Sequence, residues 1–150
     1  MSKQLGFSLL ELMIAFTIAG LLMAVSTPTI SRLYDSMVYH GAVRDLITAI
    51  EATRYKAIIQ GEAVDIVLVP QNKAVRVGVG KEWYLPESIE IVLETAKEFS
   101  HGAGTGVIRY YPDGSSSGGS INVLHDSGKS VRLRVDWLLG RLSQEPYDAV

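Results

Sequence analysis

One carboxylate, Glu11, sits inside a run that is otherwise fit for hydrocarbon, FSLLELMIAFTIAGLLMAV from Phe7 to Val25. A lone acid at membrane depth costs roughly 2.5–3.5 kcal/mol and persists where it has a partner or a task. Its chemistry there is charge pairing with a cation in a low-dielectric setting, or protonation where no cation is at hand. The plainer reading is a glutamate that snorkels to the interface from near its helix end. A polar leader, MSKQLG, precedes the run, and charge is absent from Leu12 to Ile30.

The other chemistry-bearing residues are dispersed. His40, His101 and His125 fall on a helix, in a glycine-rich loop and at a turn, and read as solvated or satisfied surface groups. Ser115–Ser117 have no histidine nearby and none of the context of a nucleophile, so catalysis has little support. The glycine-dense stretch from Ile108 to Ile121, IRYYPDGSSSGGSI, is no phosphate loop. No lysine follows its glycines and no helix follows to aim its N-terminus at an anion. Asp113 is its only carboxylate, too few for calcium. It reads as a strand, a tight Pro-Asp-Gly turn, a flexible Ser/Gly loop and a second strand. Arg132 and Arg134, two apart on one strand face, could join Arg109 or Arg141 in a small basic patch, although a solvated sheet face is the simpler reading. Glu87, Glu90, Glu94 and Glu98 form a comparable acidic run.

Composition limits the partners. Lys plus Arg number 14 and Asp plus Glu 16, for a net charge of −2, which is not the footprint of a strong nucleic-acid binder. Cysteine is absent, so no disulfide and no thiolate metal site is possible. No metal or cofactor is expected.

The run Phe7–Val25 spans about 28 Å as a helix, close to the hydrocarbon thickness. An ordinary secretory signal cleaved near Ala24-Val25-Ser26 is the alternative. Its apolar region would be shorter and would tolerate the acid poorly. Lys3 favours a cytoplasmic leader, and Arg32 on the other flank nearly cancels that bias. Pro28 predicts a kink, with Gly20 opening a segment apt to unwind. After Pro28 the pattern turns amphipathic, with Leu33, Met37, Val43, Leu46, Ile47, Ile50, Ala57 and Ile58 on one stripe. One helix is therefore expected from about Ser8 to Gln60, stopped by Gly61.

The remainder reads as β. Ala63–Val69 and Lys73–Val79 flank Pro70-Gln71-Asn72 as a hairpin. Further strands are expected at Ser88–Glu94, Val107–Tyr111, Ser120–His125 and Lys129–Trp137, with Asp126-Ser127-Gly128 as a turn and Arg141–Ser143 as a short edge strand. About 90 residues bury one small core, so antiparallel sheets packed on the helix are expected and no second domain beside them.

Gly6-Phe7-Ser8-Leu9-Leu10-Glu11 resembles the class III leader of type IV pilins and pseudopilins. The resemblance implies cleavage by a prepilin peptidase between Gly6 and Phe7, N-methylation of Phe7, and a role for Glu11 in assembly. There the new amine at Phe7 would pair with Glu11 of a neighbouring helix. Gly20 and Pro28 fall where pilin-like helices bend or melt.

The 108–121 stretch, with Val135-Asp136-Trp137-Leu138-Leu139-Gly140-Arg141-Leu142, is similar to the H-type minor pseudopilins of type II secretion and to the FimT-type minor pilins. The fold implied is α+β and pilin-like, a long N-terminal membrane helix packed on a C-terminal antiparallel β-sheet or sandwich domain. Its segments are leader 1–6, transmembrane and assembly helix 7–30, amphipathic continuation 31–60, and periplasmic β domain 61–150. The function implied is a minor pseudopilin of the pseudopilus tip, anchored by a single pass in the inner membrane. Its partners would be other major and minor pseudopilins, the prepilin peptidase, the inner-membrane secretion platform, membrane lipid, and on the periplasmic side the secretin and exported substrates.

The alternative is a FimT-like minor pilin serving pilus assembly or DNA uptake through Arg132, Arg134 and Arg141. FimT-type DNA receptors carry a Gly-Arg-x-Arg tail. Here Gly140-Arg141-Leu142-Ser143 lacks the second arginine and an acidic segment follows, which argues against nucleic acid. A third option is a monomeric signal-anchored domain, which would not be cut at Gly6.

Overall fold

The structure is a computed structural model that describes residues 7–94 and 104–148, except for the side chains of residues 24–32. Gly6, Glu98 and His101 lie outside the described residues, as does the side chain of Pro28. The chain divides into two compact units, Met1–Met37 and Val38–Val150.

A single helix, α1, runs from Leu9 to Gln60 without a break through Gly20 and Pro28. It ends where expected: Gly61 adopts φ +68° and its N–H reaches the Ala57 carbonyl at 3.1 Å, a conformation that glycine takes without a Cβ penalty. In the second unit the buried face of α1 is Tyr39, Ala42, Val43, Leu46, Ala49, Ile50, Thr53 and Ala57. These follow the three-and-four rhythm of one helical stripe. Thr53 satisfies its buried hydroxyl by donating to the Ala49 carbonyl at 2.7 Å.

The expected stripe is thus partly corrected. Leu33 and Met37 belong to the first unit and are exposed, and Ile58 is 46% exposed. Ala57 is buried as expected, and the small residues Ala42, Ala49 and Thr53 join the face beside it. Ile58, one position beyond Ala57, is turned by about 100° towards the rim.

Among the described residues, eight strands form two four-stranded antiparallel sheets. The first contains β1 (Val64–Val69), β2 (Ala74–Val77), β3 (Trp83–Tyr84) and β5 (Gly106–Tyr110), in the order β3-β2-β1-β5. The second contains β4 (Ile89–Glu94), β6 (Gly119–His125), β7 (Ser130–Val135) and β8 (Leu142–Pro146), in the order β4-β6-β7-β8. A 3-10 turn, Pro70–Asn72, closes the first hairpin and places Val69 opposite Ala74. Ile66, Leu68 and Ile108 from one sheet join Ile121, Val123 and Leu133 from the other, with Leu46 and Ile50 of α1, in one buried cluster. Burying each such aliphatic side chain is worth roughly 1.5–3 kcal/mol. Two expectations fall short: β3 is an additional strand, and β8 extends to Pro146.

Candidate functional site

The first turn of α1 is organised by Ser8. Its Oγ accepts the Glu11 N–H at 3.2 Å, and its carbonyl accepts the Leu12 N–H at 3.2 Å. Ser8 and Glu11 stand at the spacing of a capping box, a local arrangement that sequence reading overlooked although Ser-x-x-Glu was visible. Glu11 is also the acid of the first helical turn, where the helix dipole favours negative charge. Around it the side chains turn outward: Phe7 is 79% exposed and Phe16 76%. Thr17 returns its hydroxyl to the Met13 carbonyl at 2.8 Å, which leaves this face apolar. Among the described residues no helix is long and apolar enough to cross a membrane; the described side chains of this run stop at Met23, short of Val25. Gly20 has open space around its Cβ position.

In the β domain the structure brings together the two segments singled out in the sequence. Ser116 donates its N–H to the Trp137 carbonyl and its hydroxyl to the Asp136 carbonyl, both at 2.9 Å. The Ser117 N–H reaches the Arg109 carbonyl at 2.8 Å, and the Ser117 hydroxyl accepts the Arg109 N–H at 3.1 Å. Asp113 Oδ1 accepts from the Ser115 hydroxyl at 2.6 Å and the Ser115 N–H at 3.0 Å, and these two bonds lower its pKa. The Ser/Gly segment expected to be flexible is therefore tied at each serine. The sequence shows turn formers, while the partners that order the loop come from β5 and from the turn after β7.

That turn is equally constrained. Asp136 Oδ1 accepts the N–H groups of Leu138 and Leu139 at 3.0 and 2.7 Å, and the Gly140 N–H returns to the Asp136 carbonyl at 2.9 Å. Trp137, Leu138 and Leu139 are held in the open, at 66%, 59% and 53% exposure. Gly140 has φ +59°, and a Cβ there would lie 2.2 Å from the Gly114 carbonyl oxygen. Arg54 of α1 donates to that same oxygen at 3.2 Å. Beside this junction lies a groove of about 450 Å³ lined by Ile50, Glu51, Arg54, Tyr55 and Ile58 of α1, by Tyr110, and by Gly140–Leu142.

The arginines do not assemble into one basic patch. Arg109 lies in the first sheet and forms a two-pronged pair with Asp65 at 2.7 and 2.8 Å, which raises its pKa. In the second sheet, Arg132 donates to Asn122 at 2.9 Å and Glu94 at 3.2 Å and lies over the Tyr147 ring. Arg134 approaches Glu145 at 4.0 Å. Glu94 of the acidic run is thus one of the partners that offset these cations. Arg141 is exposed.

His40 is exposed as expected, but His125 is not a surface group: it is 6% exposed. Its Nδ1 accepts the Ser127 N–H at 3.0 Å, and its ring meets Tyr39 edge-on. The turn reading was right about the backbone and blind to α1, which covers the ring. Among the described residues no cluster of three metal-ligating side chains forms.

Residues 1–27 match the prokaryotic N-terminal methylation motif, and residues 42–139 match the family described as type II transport protein GspH. A curated relative, type II secretion system protein H of Xanthomonas campestris pv. campestris, is 26% identical over 143 residues, covering 94% of this chain and 83% of its own length. The minor pseudopilin EpsH of Vibrio cholerae shares the fold with TM-score 0.57 at 8% identity, over 72% of this chain and 96% of that one. The type IV minor pilin FimU of Pseudomonas aeruginosa does so with TM-score 0.55 at 13% identity, over 72% and 88%. The α+β, pilin-like architecture expected from sequence is the one observed.

Proposed function

Because the chain belongs to the type II transport protein GspH family, we propose that it works as a minor pseudopilin, a structural component of the pseudopilus tip that drives folded proteins from the periplasm across the outer membrane. The observation that carries this reading is the match of residues 42–139 to that family, joined to a methylation motif over residues 1–27. Processing would cut between Gly6 and Phe7 and methylate Phe7. Segment 7–30 would anchor the protein in the inner membrane and pack on sister helices, with Gly20 and Pro28 allowing the helix to bend. Residues 31–60 would continue that helix, and residues 61–150 would face the periplasm.

The outward apolar side chains of the first unit need a non-aqueous surrounding, which lipid supplies before assembly and neighbouring helices supply after it. Glu11 would then meet the methylated amine of a neighbouring Phe7, each charge offsetting the other's desolvation. Partners would be the other pseudopilins, the prepilin peptidase, the inner-membrane platform, and on the periplasmic side the secretin and exported proteins. The role is structural rather than catalytic.

A strain lacking the gene tests this. Exported enzymes held in the periplasm, with DNA uptake unchanged, is the expected result. Normal secretion with lost pili or lost DNA uptake would move the protein to a type IV pilus, the reading that the likeness to FimU keeps in play. The pairing of Arg109 and Arg132 with acids weighs against DNA binding on that path.

A further inference from the structure

Among the described residues, one buried side-chain nitrogen stands without a partner, Nε2 of His125. His125 closes β6 and is 6% exposed. Its other ring nitrogen, Nδ1, accepts the Ser127 N–H at 3.0 Å and lies 2.8 Å from the Ser127 hydroxyl. A nitrogen that accepts an N–H bond carries its lone pair, so the single proton of the neutral ring sits on Nε2. The backbone of His125 belongs to the same turn. Its N–H donates to the Lys129 carbonyl and its carbonyl accepts the Gly128 N–H, both at 2.8 Å, while the Asp126 N–H reaches the Ser88 carbonyl at 3.2 Å. Around the ring, α1 supplies Tyr39, which meets the imidazole edge-on at 6.1 Å, and His40, whose ring lies 5.3 Å from that of Tyr39. β4 supplies Ile89 as the cross-strand partner, and Glu87 and Glu90 on either side of it are exposed. The turn itself carries Asp126 and Lys129, both exposed. Among the described residues no carboxylate bonds to the ring. A π face compensates a cation within about 6 Å, and Tyr39 stands at that limit.

We infer that His125 is an acid-sensitive latch: its neutral ring joins the turn between β6 and β7 to α1, and its protonation releases that turn. A second ring proton has to go to Nδ1. The Ser127 N–H then loses its acceptor, and the Ser127 hydroxyl can take only the proton on Nδ1. The imidazolium is left with one bond for two donors in a buried place, and a buried charge without a partner is disfavoured far more than a neutral ring. Turning outward relieves this, because Asp126, Ser127, Gly128 and Lys129 are already exposed and can move with it. Tyr39 then loses its edge contact in the first turn of α1 that belongs to the second unit.

The inference goes beyond the assembly role, and either can fail without the other. The full-length chain in detergent micelles, labelled with nitrogen-15, is compared at about pH 7.5 and about pH 5, the span over which histidine ordinarily changes charge. At the higher pH, the imidazole nitrogen shifts should show the proton on Nε2 and a bare Nδ1. At the lower pH, the amides of His125, Asp126 and Gly128 should lose about tenfold in protection against hydrogen exchange, after correction for the intrinsic effect of pH. Amides of β1 should keep theirs. His125→Asn offers a carbonyl to the Ser127 N–H and has no proton to gain, so its turn should be equally protected at both pH values. His40→Gln, at an exposed position, should respond to acid as the wild-type chain does. A proton on Nδ1 at the higher pH overturns the proposal without any variant. So do unchanged protection at the lower pH, an acid response that survives in His125→Asn or vanishes in His40→Gln, and an equal loss in β1, which would be unfolding of the whole domain.

Discussion

At the residue scale, the two roles proposed for Glu11 can be separated. As the acid of the first helical turn it gains roughly 0.3–1 kcal/mol from the helix dipole. As a partner for a neighbour's amine it would fix the register of an assembly. Glu11→Gln keeps a polar side chain at the start of the helix and removes the charge, whereas Glu11→Ala removes both. If pairing governs assembly, both variants are inserted and processed normally yet incorporate poorly, as read by co-purification with sister subunits. Wild-type incorporation of Glu11→Gln would leave only the capping role. Tyr110 makes a second prediction. Burial raises its pKa above the usual 10.0, with Arg54 opposing and Glu51 adding to the rise. A raised pKa means that the fold holds the neutral phenol. Its contribution is complete below pH 10 and is lost as pH rises from there through the folded-state value. The thermal midpoint should therefore fall steeply above about pH 10, and less steeply in Tyr110→Phe. Residual slope is expected from Tyr39, which burial shifts in the same direction. Identical slopes in both proteins would show that Tyr110 titrates freely.

At the element scale, Gly140 ties the turn after β7 to the loop after β5. Gly140→Ala would place a Cβ 2.2 Å from the Gly114 carbonyl oxygen in a backbone conformation that disfavours it, destabilising by roughly 2–3 kcal/mol. Gly128→Ala is the comparison, because Gly128 also has positive φ (+84°) but open space around it. It should destabilise by only about 1 kcal/mol. A thermal midpoint lowered by roughly 10 °C in the first and about 4 °C in the second would match; equal shifts would mean that the contact with Gly114 relaxes freely. Neither glycine's environment could be read from the chain, although Gly128 was visible as a turn former. The same division runs through the fold. Periodicity of two and the Pro-Gln-Asn and Asp-Ser-Gly turns located most strands, because hairpins are encoded locally. Strand β3 escaped notice because two residues carry no period, and its pairing of Trp83 with Val75 is non-local. On α1, Leu, Ile and Ala57 signalled the stripe while Ala42, Ala49 and Thr53 carried no signal, since their burial depends on how closely the sheets approach. The candidate site shows the limit most clearly. Both of its loops were legible as motifs, but their hydrogen bonds to each other, Ser116 to Trp137 and Asp136, span 20 or more positions.

At the scale of the whole molecule, the two compact units present different surfaces. The core cluster runs from Tyr39 to Leu133 and Val135, with Leu142 packed against it, and takes no residue from before Val38. The first unit instead presents Leu9, Leu10, Phe16 and Met23 outward, a surface that water disfavours in proportion to its apolar area. A chain beginning at Val38 should therefore fold by itself, melt in one cooperative transition and sediment as a monomer, whereas the full chain should need detergent to do so. Trp137, Leu138 and Leu139 are the place to look if the shortened chain associates, because Asp136 holds all three in an exposed turn. Changing them together to serine should restore the monomer without moving the melting midpoint by more than a few degrees, since none is buried. A non-cooperative melt of the Val38 chain would mean that the core depends on the first unit.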